Sequence, residues 1–411
     1  MKYIALHAVK RMIKAEDIKD ISINSKSLLA RSLKIFVIIL SIFIFLFAIQ
    51  LMSGSLAVIG KDFAKEIVYA TSNPFIGLFI GLLATAILQS SSTTTSMTVA
   101  AVAVGAISLQ GAIPIIMGAN LGTTITSTIV SLSFVTKSKE FEKAFAAGTV
   151  HDFFNILIII ILFPLEYYYG LLSSVSSYIS SSIQTESSQS IASKLFINNL
   201  FDGAQDFLIS TIGVAATLII AVVLIIAIVK IISNLLYDQM IGNSRNRFKS
   251  IIFNTRLRSF GWGFLFTSII QSSSLTTSLI VPLVATKKIH LTRAFQFVLG
   301  ANLGTTITAI IAALFKSEAA VSLAIAHFMF NLLGVSLFVF IPFLSKLPTY
   351  FANSLAKLAV KYRWTAFVYI LVVFFLLPFT LIYFSNRQEL TYSKPNNQEI
   401  VTKTTADQTI Y

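Results

Sequence analysis

Long apolar runs follow one another along most of the chain, and short polar or basic stretches separate them. The first apolar run covers residues 35–49, and further runs lie near 111–133, 144–168, 208–232, 293–315, 319–345 and 364–385. A helix needs about 20 mostly apolar residues to cross a bilayer. The pattern therefore predicts an all-α polytopic membrane protein.

Two apolar blocks are interrupted by polar residues near their centres. In the first, the apolar stretches Pro74–Leu88 and Met97–Leu109 flank the polar stretch Gln89–Ser96, and residues 260–286 form a similar second block. Each arm of the first block is too short to span comfortably, and irregular backbone within a membrane needs protein or a cavity around it. Each block is therefore predicted to be a re-entrant helical hairpin with a polar tip.

Two polar motifs each occur twice in the chain, one inside each block and one after it. Gln-Ser-Ser-Ser occurs at 89–92 and at 271–274, and Gly-Ala-Asn-Leu-Gly-Thr-Thr-Ile-Thr occurs at 118–126 and at 300–308, with an offset of 182 residues in both cases. Small and hydroxyl residues also mediate helix packing in membranes. Two copies in the same order and spacing favour a ligand site, as in carriers built from internal repeats.

The basic residues predict the orientation of the spans. Lysines and arginines cluster in residues 1–34, at 245–258 and at 346–363, which the positive-inside rule assigns to the cytoplasm. The N-terminus is then cytoplasmic, and the two hairpins enter from opposite sides. The sequence therefore predicts two inverted-topology repeats, and counting crossings places the C-terminus outside.

Composition narrows the class of protein. Of 411 residues 55% are hydrophobic and 12% are charged, whereas soluble domains carry about 25% charged residues. The net charge of +14 lies between apolar spans, which favours cytoplasmic loops over nucleic-acid binding. Cysteine is absent, so no disulfide or thiolate metal site is expected. Length and lack of cysteine suggest a bacterial inner-membrane protein.

Hydroxyls and amides at the hairpin tips suit small ions. A helix that begins at such a tip offers N–H groups to an anion, and the same hydroxyl and carbonyl oxygens suit a hard cation. Neither motif contains lysine or arginine. Co-bound sodium ions would then neutralise a bound dianion, which would link the two substrates.

A looser third repeat pairs His151 and Asn155 with His327 and Asn331, and Asp152 occurs in the first copy alone. An ionisable residue within a span is a candidate functional residue, although a helix-end Asp in the interface, or an N-cap, is an alternative. For the histidines a structural hydrogen bond is the favoured role. No nucleophile elbow and no metal-binding motif occurs, so an enzyme is not expected.

These motifs resemble the type II sodium-phosphate cotransporter family over residues 72–345. The resemblance implies sodium-driven import of inorganic phosphate by alternating access, with Na⁺ as the coupling ion and no other cofactor. It assigns phosphate contacts to Ser90, Ser91, Ser272 and Ser273. It assigns sodium contacts to Gln89, Thr123, Thr126, Asp152, Gln271, Ser272, Thr305 and Thr308, with Asn120, Asn155, Asn302 and Asn331 in support.

The resemblance also links Asp152 to an additional sodium ion and to electrogenic transport, about three Na⁺ per divalent phosphate. The alternatives left open are a sodium-coupled carrier of sulfate or a dicarboxylate, and an anion channel or exporter. Family members are usually drawn with both termini cytoplasmic, which conflicts with the outside C-terminus, and the oligomeric state is left open.

The predicted organisation has eight parts. They are a basic cytoplasmic segment (1–34), a first transmembrane helix with its linker (35–70), repeat 1 (71–170), an extracytoplasmic serine-rich loop (171–207), a linking span and basic loop (208–258), repeat 2 (259–345), a cytoplasmic segment with the last span (346–385), and a polar tail (386–411).

Overall fold

The computed structural model describes residues 15–59, 71, 73–183, 196–241, 252–314, 316–380 and 382–383. Every regular element in these ranges is a helix, in agreement with the predicted all-α class. The helices are α1 (Ala15–Ile59), α2 (Pro74–Leu88), α3 (Ser91–Ala103), α4 (Leu109–Thr123), α5 (Ile125–Leu132), α6 (Ser138–Tyr169), α7 (Leu171–Ile183), α8 (Phe196–Ile212), α9 (Val214–Ile241), α10 (Arg256–Ile270), α11 (Ser273–Ser278), α12 (Ile280–Ala285), α13 (Leu291–Gly304), α14 (Thr306–Ala313), α15 (Glu318–Phe340), α16 (Pro342–Lys361) and α17 (Trp364–Leu371).

Six helical segments in the described part of the chain are long and apolar enough to cross a membrane. They are Phe36–Ile59, Leu109–Leu132, Ser138–Tyr169, Val214–Ile231, Leu291–Ala313 and Glu318–Phe340. These segments support a multi-pass membrane protein. The predicted last span, 364–385, corresponds to a shorter apolar helix, Trp364–Thr380, which contains a π-helical turn at Val372–Leu376.

Two predicted polar regions contain more helix than expected. The helix α1 begins at Ala15, within the basic segment 1–34, and the serine-rich region 171–207 contains α7 and part of α8. The buried carboxylate of Glu166 accepts hydrogen bonds from the first N–H groups of α7, at Leu172 (2.6 Å) and Ser173 (3.2 Å). A capped helix start explains why this polar sequence forms a helix. The polar tail 386–411 lies outside the described residues.

The arms of the two repeated blocks pack in the same way. The helix α2 lies against α4, and α10 lies against α13. At Gly118 a Cβ atom would overlap the carbonyl oxygen of Leu78, and at the equivalent Gly300 it would overlap that of Phe260. Only glycine permits backbones to come this close, which is typical of helix pairs in membranes. The repeated glycines therefore hold each interrupted block against the helix that carries the repeated asparagine.

This packing gives a test of the fold with a matched control. Gly263 of α10 faces α13, where a Cβ would meet the carbonyl of Phe297, whereas Gly261 has no atom within 4 Å of a Cβ. We expect Gly263→Val to destabilise the protein by about 3 kcal/mol more than Gly261→Val, because overpacking against fixed backbone is costly. Thermal unfolding in detergent measures the difference, and equal melting temperatures would contradict this packing.

Candidate functional site

The first Gln-Ser-Ser-Ser motif forms a tight turn between two helices. Gln89 ends α2 in the left-handed region (φ 52°), and Ser90 caps the next helix, its hydroxyl accepting a hydrogen bond from the N–H of Thr93 at 3.2 Å. Left-handed geometry at a non-glycine residue is uncommon and often marks a functional position. Ser91 is buried at the first position of α3, while the Gln89 side chain is exposed.

The second motif has the same conformation. Gln271 ends α10 with φ 55°, and Ser272 caps α11 by accepting a hydrogen bond from the N–H of Leu275 at 3.3 Å. Ser273 is buried at the first position of α11. The same four residues therefore adopt nearly the same backbone conformation in both places. The helices that follow the turns differ, because α3 is continuous whereas its counterpart is divided into α11 and α12.

The two turns contact each other reciprocally. The hydroxyl of Ser92 donates to the carbonyl oxygen of Gln271 at 2.7 Å, and the hydroxyl of Ser274 donates to the carbonyl oxygen of Gln89 at 3.4 Å. The two donors, Ser92 and Ser274, are equivalent residues 182 positions apart, and so are the two acceptors, Gln89 and Gln271. The structure therefore brings all eight motif residues into one region. The residues that join the turns are the fourth ones, Ser92 and Ser274, to which sequence reasoning gave no role.

The threonines of the two Thr-Thr-Ile-Thr motifs lie at the break between α4 and α5 and at the break between α13 and α14. Thr123 and Thr305 donate to the carbonyls of Ala119 (2.9 Å) and Ala301 (3.0 Å), one turn earlier in their own helices. Such bonds complete hydroxyls that would be costly to bury unpaired. In both repeats the helix stops within one residue of this point and restarts.

The last threonine of each word differs between the repeats. Thr308 lies 3.3 Å from the hydroxyl of Ser92, at the contact between the turns, whereas the buried hydroxyl of Thr126 has no hydrogen-bond partner among the described residues. A second crossing contact joins Ser127 to Thr277 at 2.9 Å. The residue equivalent to Ser127 in repeat 2 is Ala309. The hydroxyl contacts between the repeats are therefore not symmetric.

The repeated asparagines meet in a buried network. Asn302 donates to the side-chain oxygens of Asn155 (3.2 Å) and Asn331 (2.6 Å), and its own oxygen lies 3.1 Å from Nε2 of His151. Because the Asn302 oxygen can only accept, His151 must carry its proton on Nε2. Asn120 joins this network only through its backbone, whose carbonyl accepts from the amide of Asn155 at 3.1 Å; its own side-chain amide donates to Ile116 of its own helix at 3.0 Å.

Asp152 is buried beside α5. Its Oδ2 accepts hydrogen bonds from the hydroxyls of Thr128 and Tyr369, both at 2.9 Å, and its Oδ1 has no partner among the described residues. Asp152 lies inside α6 (Ser138–Tyr169) and is fully buried, so it is neither at a helix end nor an N-cap. Asp152 makes no described hydrogen bond with either Gln-Ser-Ser-Ser turn. The helix α5 connects Asp152 to the second hairpin indirectly: Thr128 bonds Asp152, and the preceding residue, Ser127, bonds Thr277 of α11.

Sequence reasoning missed Tyr369. The residue lies on α17, 217 positions from Asp152, and no repeated word contains it. Thr128 lies two residues after the repeated motif 118–126, so a search for hydroxyls one helical turn beyond Thr124 could have found it. Tyr369 could not be found in this way, because only the packing of α17 brings it to Asp152.

A second polar cluster lies between the spans. Lys316, in the turn before α15, donates to the side-chain oxygen of Gln50, whose amide donates to Asp202 at 3.1 Å. Burial lowers the pKa of Lys316 to about 8, and the charge of Asp202 opposes this shift. The ammonium group therefore remains mostly charged at neutral pH and holds α1, α8 and the start of α15 together.

Comparison with known proteins decides the family. The model of the family described as Na+/Pi-cotransporter matches residues 44–169 and 223–385. The chain belongs to this family. Both Gln-Ser-Ser-Ser turns, the asparagine network and Asp152 lie within the matched ranges. Membership confirms the resemblance inferred from the motifs, and a family of transporters is consistent with the expectation that the chain is not an enzyme.

Individual members of the Na+/Pi-cotransporter family are also similar. The mouse sodium-dependent phosphate transport protein 2A is 31% identical over 84% of this chain and 67% of its own length. The human protein 2B is 31% identical over 81% of the chain and 61% of its length, and the rabbit protein 2A is 34% identical over 80% and 63%. The chain thus spans about two thirds of the length of these relatives. No solved structure matches it.

Proposed function

We propose that the protein is a sodium-coupled symporter that imports inorganic phosphate by alternating access. The observation that carries the proposal is the reciprocal contact between the two Gln-Ser-Ser-Ser turns, Ser92 to Gln271 and Ser274 to Gln89. It brings two sets of serine hydroxyls and helix starts to one place, and these are donors for a small tetrahedral anion, whereas the carbonyl oxygens beside them suit a cation. The names of the similar mouse, rabbit and human proteins supply the substrate.

The proposed phosphate ligands are Ser90, Ser91, Ser272 and Ser273, which lie at the starts of α3 and α11. Helix N-termini favour anions through their free N–H groups and the helix dipole. No lysine or arginine lies within hydrogen-bond distance of these four serines among the described contacts. The charge of the phosphate is therefore balanced by sodium, which makes the two substrates interdependent.

Sodium is proposed to bind hydroxyl and carbonyl oxygens on either side of the turns. The candidates in repeat 2 are Gln271, Ser272, Thr305 and Thr308, and their counterparts in repeat 1 are Gln89, Thr123 and Thr126. Hard cations take oxygen ligands of this kind. The orphaned hydroxyl of Thr126 supports its assignment, because a buried hydroxyl without a partner is costly unless a ligand completes it. Asn120, Asn155, Asn302 and Asn331 support the helices that carry these oxygens.

Asp152 is proposed to bind one additional sodium ion, which gives about three Na⁺ per divalent phosphate and net inward positive charge. Its unpartnered Oδ1 supports this role, because a buried carboxylate oxygen needs a cation or a donor. Alternating access is proposed to move the two inverted repeats around the fixed turns. The N-terminus is proposed to face the cytoplasm across a bacterial inner membrane, with each hairpin re-entrant from its own side.

Uptake of radiolabelled phosphate into proteoliposomes tests the function. We expect saturable uptake that requires an inward sodium gradient, is not supported by potassium, and increases with an inside-negative potential. Sulfate and a dicarboxylate serve as competing anions in excess. Preferred uptake of either competitor would contradict phosphate as the substrate, and flux that neither saturates nor needs sodium would contradict a symporter in favour of a channel.

A further inference from the structure

A large cavity lies away from the Gln-Ser-Ser-Ser turns, between the starts of α10, α13 and α16 and the end of α15. Its volume is about 850 Å³, which is large enough for part of a lipid. Two basic residues line it, Arg256 at the first position of α10 and Lys346 in the second turn of α16. Both side chains are exposed.

The lining changes from polar to apolar along the helices. On α13 the cavity is lined by Thr292 and Gln296 near the helix start, and by Leu303 deeper in the bundle. On α15 the lining runs from Phe340, at the helix end, back to Leu332, about 12 Å along the axis at 1.5 Å per residue, and is apolar except for Ser336. Both helices belong to segments long and apolar enough to span a membrane. The cavity thus has a basic, hydroxyl-rich end and an apolar end at membrane depth.

The apolar wall is open to the surroundings. On α15, Leu332 at the apolar end is 39% exposed, and Val339 and Phe340, nearer the basic end, are 47% and 79% exposed. Exposed apolar side chains on a membrane-spanning helix face acyl chains. The mouth of the cavity therefore opens sideways toward lipid, and a phospholipid can enter from the bilayer without crossing the protein.

The charge at the polar end selects the lipid headgroup. Arg256 and Lys346 have no described ion pair, and no acidic residue lines the cavity. The helices α13 and α16 begin at this end without a side-chain cap, which adds to the positive potential. Basic pockets between transmembrane helices bind anionic headgroups. We propose that this cavity is a binding site for an anionic phospholipid, whose phosphate lies at Arg256 and Lys346 and whose acyl chain lies along Leu332 and Val339.

Lipid titration of the purified full-length chain, followed by native mass spectrometry, tests the proposal. The lipids are phosphatidylglycerol and phosphatidylcholine with the same acyl chains. We expect the wild type to bind phosphatidylglycerol more tightly than phosphatidylcholine. The double variant Arg256→Gln/Lys346→Gln should lose about twenty-fivefold in affinity, since each basic residue near an anionic headgroup contributes about fivefold. Because both side chains are exposed, the variant is expected to fold.

The matched control is Arg258→Gln/Lys357→Gln. It removes the same charges from the same two helices, at exposed positions that do not line the cavity. The control should bind phosphatidylglycerol as the wild type does, whereas Val339→Trp should weaken binding by obstructing the apolar wall. Equal loss in both double variants, or equal affinity for the two lipids, would overturn the proposal.

A competition experiment distinguishes a bound lipid from bound free phosphate. Excess inorganic phosphate should not displace bound phosphatidylglycerol, because the acyl chain supplies much of the binding free energy. Displacement would indicate an entry vestibule for free anions, and a change of oligomeric state in the cavity variant without a change in lipid binding would indicate a contact between copies. Either result would overturn the lipid assignment and leave the proposed transport function untouched, because uptake is measured separately.

Discussion

Replacing Asn302 by leucine is expected to abolish sodium-dependent phosphate uptake and to lower the melting temperature. Asn302 satisfies three buried groups at once, on His151, Asn155 and Asn331. Leucine has the same branching at Cγ but no hydrogen-bonding atoms, so all three groups would be left unpaired. Each unsatisfied buried polar group costs about 1–3 kcal/mol. The expected loss of stability is therefore about 3 kcal/mol or more.

Asn120→Leu is the matched control for Asn302→Leu. The residue occupies the same position of the repeated word, and the described hydrogen bond of its side chain goes to Ile116 of its own helix. We expect this variant to be destabilised by about 1 kcal/mol, the typical net contribution of one hydrogen bond. Thermal unfolding and uptake are measured for both variants in the same lipid. Similar losses in the two would show that the network around Asn302 contributes no more than one local bond.

Replacement of Asp152 by asparagine or glycine is expected to leave phosphate uptake while removing most of the current. The carboxylate lies buried with one oxygen held by Thr128 and Tyr369 and the other unpartnered. If that oxygen binds a sodium ion, losing it removes one positive charge per cycle. One charge moved through 100 mV corresponds to about 2.3 kcal/mol, so accumulation at that potential should fall about fiftyfold.

Simultaneous recording of current and radiolabelled phosphate in voltage-clamped membranes measures the effect as charge per phosphate. Glu166→Gln is the control, because Glu166 is a second buried carboxylate of the same helix and its described bonds cap α7. Its charge per phosphate should equal that of the wild type. An undiminished current per phosphate in Asp152→Asn would refute the role given to Asp152 while leaving sodium-dependent symport intact.

The repeated motifs show which structural features can be predicted from local sequence. A polar stretch inside an apolar block has to interrupt the helix or pair its hydroxyls, so a turn at Gln89–Ser90 and at Gln271–Ser272 could be predicted, and both are present. The all-helical class could also be predicted locally, because an apolar run of about 20 residues is long enough to cross a bilayer as a helix. The helical content of 171–207 was not predicted, because the start of α7 depends on a cap from Glu166, which belongs to the preceding helix.

By itself, the sequence determined the class of protein, the two turns and the identity of the polar residues at each, because these depend on local polarity, spacing and repetition. Only the tertiary structure decided which of these residues meet. Ser92 contacts Gln271 across 179 positions, Tyr369 contacts Asp152 across 217, and Asn302 joins His151 to two other asparagines. These pairings depend on how separate helices pack. Periodicity and composition do not predict which faces of two helices will be in contact.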